Sequence, residues 1–178
     1  LDSMNMTSNI LEEAYDEKMN VFSPVSWAGV PLENKIYQTA KKLDLKCLED
    51  SACSLGAKIG ENYVGKIADY SCFSFHPRKV ITTGEGGMIL TNSLRVRDEI
   101  LLLRNHGRPE RGQYSADRPG MNFRITELQA GIGLAQLNKI DSIINRKEQI
   151  NKFYFKYLKN IQKIIFPSGS MDSSNILH

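Results

Sequence analysis

The sequence predicts an α/β fold: a mostly parallel, mixed sheet flanked by helices. Three observations lead there. Short strand-like runs alternate with helical spacing through the first half of the chain, a pattern that implies a mostly parallel sheet. The 178 residues are 41% hydrophobic, enough for one sizeable core and so for one main domain. Two long amphipathic stretches after residue 125 supply a flanking layer or a connection towards a second domain.

In chain order, "NVFSPVSW" (20–27) has strand character and is followed by Gly29. Pro31 opens a helix that places Leu32, Ile36, Ala40 and Leu43 on one face. "LKCLED" (45–50) is a short strand ending in two carboxylates, "YSCFSFH" (70–76) is another, and "GGMILTN" (86–92) is a third that starts from glycines. A helix follows over 93–105, with Gly107 as its stop. Residues 110–123 form a polar loop. A helix over 125–140 puts Ile125, Leu128 and Ile132 on one side, and a longer one over 142–162 carries Ile150, Phe153, Tyr157 and Ile161 at helical spacing. Residues 166–175 have the composition of a linker. The expected division is 1–141 as part of a cofactor-binding large domain, and 142–178 as a long helix and linker into the start of a small C-terminal domain. The chain opens at Leu1 and closes on a strand-like "NILH", so a piece of a longer protein is expected.

Composition excludes several classes of function. The formal net charge is +3 and the basic residues are scattered, which is not the clustered face of a nucleic-acid binder. The longest apolar run, "ILLL" at 100–103, is far short of a membrane span. Cys47, Cys53 and Cys72 are odd in number and lack CxxC spacing, so neither a disulfide framework nor a metal site is expected. With no signal peptide at its start, a reduced, cytoplasmic protein is the expectation.

The stretch "SFHPRKVITTGEGGM" (74–88) places Lys79 between a strand and a glycine-rich turn. Open α/β sheets bind ligands at the carboxyl ends of their strands. Asp50 ends one such strand and Lys79 follows another, so adjacent parallel strands would bring both to one crevice. An acid facing a lysine is the arrangement that pyridoxal phosphate requires: the lysine bonds the cofactor aldehyde and the acid keeps the pyridine nitrogen protonated. Ser74 suits the cofactor phosphate, and the glycines at 84, 86 and 87 allow close backbone approach. Spacing alone leaves open a solvated loop lysine and an unremarkable strand-ending aspartate. A nucleotide phosphate loop is set aside, because "ITTGEGG" lacks the GK[ST] ending and runs into a strand.

The run "CLEDSACSLGAKIGENYVGKIADYSCFSFHPRKVITTGEGGMILTN", followed by "LLLRNHGR" and "GMNFRITELQAGIGLAQLNKID", resembles the sugar aminotransferases of the DegT/StrS type. These are fold-type I pyridoxal-phosphate enzymes that aminate keto-sugars attached to nucleotides. The resemblance implies an aminotransferase-like large domain, here incomplete, with glutamate as amino donor and a homodimer with shared active sites. By the same resemblance, Lys79 matches the lysine that bonds the cofactor and later moves a proton. Asp50 matches the acid on the pyridine nitrogen, and Ser74 a phosphate ligand. Asn122 matches an asparagine that reaches the phosphate from the neighbouring subunit. Where the family has Gln, His or Glu near the cofactor 3-hydroxyl, this chain has Cys53. Where the family has the histidine of its "PVHxxG" stretch, this chain has Ser26. Both departures are candidates for setting substrate choice.

Some relatives with histidine in place of the lysine are dehydratases, and Lys79 argues against that. His76 is expected to be a structural loop residue and Trp27 a core aromatic. Glu85 is expected to cap backbone amides. His106 is left open between a helix-end role and the substrate cavity, and Arg124 between an interface and solvent. The functional alternatives to amino transfer are a pyridoxal-phosphate lyase or epimerase on the same scaffold, and a non-catalytic regulatory relative.

Overall fold

The computed structural model describes residues 4–109 and 115–168. Its main sheet has four strands: β1 (Val21–Phe22), β2 (Lys46–Asp50), β5 (Tyr70–Ser74) and β6 (Gly87–Thr91), in the order β1-β2-β5-β6. A separate hairpin of β3 (Lys58–Ile59) and β4 (Asn62–Tyr63) lies within the connection from β2 to β5. The helices are α1 (Ser8–Ala14), α2 (Asn34–Lys42), α3 (Leu94–Leu103), α4 (Glu127–Leu137) and α5 (Ile140–Leu158). β1–β2 and β2–β5 pair in parallel and β5–β6 pairs antiparallel, which is the mostly parallel mixed sheet expected.

Alternation decides the two faces of this sheet. Cys47 and Glu49 of β2, with Ser71 and Phe73 of β5, point to the buried side. Leu48 and Asp50, with Tyr70, Cys72 and Ser74, point to the open side. On the buried side, α1 and α2 close a core of Leu11, Phe22, Leu32, Ile36, Tyr37, Ala40, Leu45 and Cys47. A second core of Ala57, Val64, Phe73, Phe75, Val80 and Ile81 lies beyond β5, and Ile140, Ile143 and Ile144 at the start of α5 pack on it. The expected domain division at 141/142 therefore falls inside one helix.

Several local expectations change. The strand expected over 20–27 is cut to Val21–Phe22, because Pro24 has no N–H to give the ladder. Pairing resumes irregularly: Asp50 N–H donates to Pro24 O at 2.8 Å and Ser26 N–H to Asp50 O at 3.0 Å. α2 starts at Asn34 rather than at Pro31. Glu33 stays extended and accepts the Ser8 N–H at 2.6 Å, tying α2 to α1 instead of capping its own helix. Trp27 is 53% exposed, so the core role expected for it is wrong: it sits on a surface 3-10 turn, held by its backbone N–H on Asn5 Oδ1. α1 and the β3–β4 hairpin were not anticipated.

Other termini follow their chemistry. Ser93 caps α3 through Val96 N–H, and Thr126 with Gln129 forms a reciprocal capping box on α4. β6 begins at glycine for a steric reason: a Cβ on Gly87 would lie 2.7 Å from the Phe73 carbonyl oxygen. The polar loop expected over 110–123 is irregular where described, but 110–114 lie outside the described residues, as does the linker beyond 168.

Candidate active site

The parallel pairing of β2 and β5 sets Asp50 opposite Cys72, and Ser51 N–H continues the ladder to Cys72 O at 2.9 Å. Asp50, Cys72 and Ser74 share the open face. The Asp50 carboxylate spends one oxygen on Ala52 N–H at 3.0 Å, a local turn that fixes its direction. Burial first, and the Asp50 charge second, push the Cys72 thiol up from its ordinary range.

Two turns then meet. The chain leaves β2 through a turn containing Cys53, and leaves β5 through "FHPRK", where Lys79 N–H donates to His76 O at 2.9 Å. Lys79 Nζ donates to Cys53 Sγ at 3.0 Å. The loops that follow Asp50 and Ser74 thus converge at the carboxyl ends of two adjacent parallel strands, where an open sheet presents its ligand site. Ser74 Oγ accepts His76 N–H at 3.3 Å and keeps its own proton for another acceptor.

Asn122 is elsewhere on the chain. It pairs with Asn105 in an isolated bridge, and its side chain accepts Arg124 N–H at 3.4 Å; none of these bonds reaches Asp50, Ser74 or Lys79. Arg124 is half-buried rather than solvated, with Nη1 on Asn105 Oδ1 at 2.6 Å. His106 sits at the end of α3 in a left-handed conformation, φ 61°. His76 holds its turn as expected, Nδ1 accepting Arg78 N–H at 3.2 Å. Among the described residues Glu85 caps no amide with its carboxylate. Its carbonyl accepts Thr83 Oγ1 and Gln129 Nε2, and its exposed carboxylate stands 4.0 Å from His76 Nε2.

One buried cluster was missed from the sequence. Glu49 is 1% exposed and accepts Ser26 Oγ at 2.5 Å and Tyr37 OH at 2.9 Å. Ser26 therefore serves an anchor beneath the sheet, on the side away from Asp50. The available signal was the alternation of "KCLED", which sends Glu49 inwards when Asp50 faces out. Burial raises the Glu49 carboxyl above its ordinary range, the hydroxyls of Ser26, Tyr37 and Ser51 oppose that, and the Asp50 charge adds to it. Burial and the Glu49 charge likewise push the Cys47 thiol up to about 12.

A raised folded-state value means that the folded chain keeps this proton at a pH where the unfolded chain has released it. Stability should therefore fall as pH rises from the ordinary glutamate range, about pH 4, through the raised value, and level off above it. Glu49→Gln should flatten that slope in melting curves taken across the window. If both proteins show the same slope, Glu49 does not carry the proton.

A sequence profile of the DegT/DnrJ/EryC1/StrS aminotransferase family matches residues 1–178. The chain belongs to this family. It is 35% identical over 159 residues to the UDP-4-amino-4,6-dideoxy-N-acetyl-beta-L-altrosamine transaminase of Campylobacter jejuni, covering 88% of this chain and 42% of that protein. Helicobacter pylori PseC, an aminotransferase involved in the biosynthesis of pseudoaminic acid, superposes with a TM-score of 0.86 at 31% identity, covering 91% of this chain and 44% of PseC. Spr1654 of Streptococcus pneumoniae, solved in a PLP form, gives a TM-score of 0.80 at 28% identity, over 89% of this chain and 46% of that one. The chain thus spans under half the length of these relatives. Among the described residues no helix is long and apolar enough to cross a membrane, and no group of His, Cys, Asp and Glu is placed to hold a metal ion.

Proposed function

We propose that this DegT-family chain belongs to an aminotransferase that uses pyridoxal 5′-phosphate to move an amino group from glutamate to a nucleotide-linked keto-sugar. The observation that carries the reading is the convergence of the turns after β2 and β5, which brings Lys79 to the loop that begins at Asp50.

The residues present fit the cofactor. An amine, a carboxylate and a hydroxyl stand at the same end of two paired strands. None of the three is committed to an ion pair among the described residues. Asp50 would hold the protonated ring nitrogen, and Ser74 would donate its hydroxyl proton to the phosphate. Asn122 would add side-chain donors to that phosphate from a partner subunit, since within its own chain its bonds go to Asn105 and Arg124 and not to Ser74 or Lys79. Cys53 stands where the family places a polar contact to the ring hydroxyl, and in this chain it faces Lys79 instead. The cofactor supplies the electron sink when bound. Lys79 would supply the attachment point and, through the same Nζ, a proton carrier, with its amine steered by the Cys53 turn. Residues 1–141 are read as part of the cofactor-binding domain, and 142–178 as the way out of it.

The test is reductive trapping. The full-length protein is loaded with pyridoxal phosphate, reduced with borohydride and digested, and the pyridoxyl group should be found on Lys79. The same group on Lys66 would overturn the assignment. Turnover of a nucleotide keto-sugar that demands glutamate in equal amount separates amino transfer from the lyase and epimerase alternative.

A further inference from the structure

Cys53 and Lys79 form a pair whose thiol the proposed chemistry leaves unused. Both side chains are half-buried, and both backbones are fixed. On one side Ala52 N–H binds Asp50 Oδ1 at 3.0 Å, and Ser54 N–H binds Ser51 O at 3.0 Å with Ser54 fully buried. On the other, Lys79 is pinned to His76 O and followed by the buried pair Val80 and Ile81. The 3.0 Å contact between Nζ and Sγ is therefore held by two ordered turns. The other thiols differ: Cys47 is buried in the core, and Cys72 lies in the middle of β5 facing Asp50.

A thiol beside a primary amine has a defined oxidative chemistry, because a sulfenic acid condenses with a neighbouring nitrogen. We propose that hydrogen peroxide joins Cys53 and Lys79 through a sulfur–nitrogen bond, a modification site that withdraws the amine from the cofactor. The Cys53 sulfur attacks one peroxide oxygen and the O–O bond breaks. Sulfur loses two electrons to become the sulfenic acid, and the peroxide is reduced to water. The Lys79 nitrogen lone pair then attacks sulfur. The hydroxyl leaves with a proton from nitrogen as a second water, and the S–N bond remains. Thiol, amine and peroxide thus give the cross-link and two waters. Two equivalents of a thiol reductant reverse it, returning thiol and amine and leaving a disulfide of the reductant. The consequence for the cofactor rests on the reading of Lys79 given above; the bond itself does not.

The experiment uses the full-length protein stripped of cofactor with hydroxylamine, treated with hydrogen peroxide, alkylated and digested with trypsin. The expected product is the peptide 47–58 joined to 79–95, lighter than the sum of the two by two hydrogens. It should disappear after dithiothreitol and in Cys53→Ser, and persist in Cys47→Ser. Cys53 recovered as sulfinic acid or in a disulfide, with cleavage after Lys79 intact, overturns the proposal, as does a link from Cys53 to any other lysine. Prior loading with pyridoxal phosphate should suppress the linked peptide. If the link forms equally with cofactor present, the cross-link stands and the cofactor role of Lys79 fails.

Discussion

Lys79→Ala in the full-length protein should lose covalent cofactor attachment and almost all turnover while keeping its fold. The side chain is half-buried, and its hydrogen bond goes to Cys53 Sγ; the backbone contact to His76 O survives the change. Melting should therefore shift by no more than an ordinary non-core substitution, about 1 kcal/mol or less. Losing a positioned proton carrier alone costs about 10²–10⁴-fold in rate, and loss of the attachment point adds to that. Absorbance of the bound cofactor should shift to that of the free aldehyde, and added small primary amines should restore part of the turnover. A variant with the parent's spectrum and rate would place the reactive lysine elsewhere.

The strands that frame this site were legible because their pattern is strong. "KCLED" and "YSCFS" alternate buried and open positions, and one register error would have sent Asp50 under the sheet and Glu49 to the open face. The starts of α3 and α4 fall within two residues of the expected 93 and 125, although the capping by Ser93 and Thr126 that fixes them formed no part of that expectation. The β3–β4 hairpin was not, since two-residue strands joined through Gly60 and Glu61 carry no periodicity to detect. α1 has seven residues and only Ser8 and Leu11 buried, too little for an apolar stripe. Trp27 misled because local apolarity does not say which side of an irregular turn faces water. The same limit applies to α4, where Leu128 is 83% exposed: helical spacing identifies a stripe but not what covers it. The Cys53–Lys79 contact joins two loops 26 residues apart, a proximity fixed only by the pairing of β2 with β5.

Asp50→Asn should bind the cofactor and turn over slowly. The amide is nearly the same size and can still accept Ala52 N–H through its oxygen, so the local turn and the β2–β5 ladder should persist. What goes is the negative charge on the open face. A carboxylate favours the protonated ring nitrogen; a neutral amide does not, and the ring then withdraws electrons poorly. Removing one such preorganised electrostatic partner costs about 10²–10³-fold in turnover. A second readout needs no cofactor. The Asp50 charge helps to hold the Cys72 thiol up, so neutralising it should lower that value and speed alkylation of Cys72 by iodoacetamide near neutral pH. Faster alkylation with unchanged turnover would show that Asp50 faces Cys72 as described, yet that the acid serving the ring lies elsewhere. Unchanged alkylation would remove the shared open face on which the site is built.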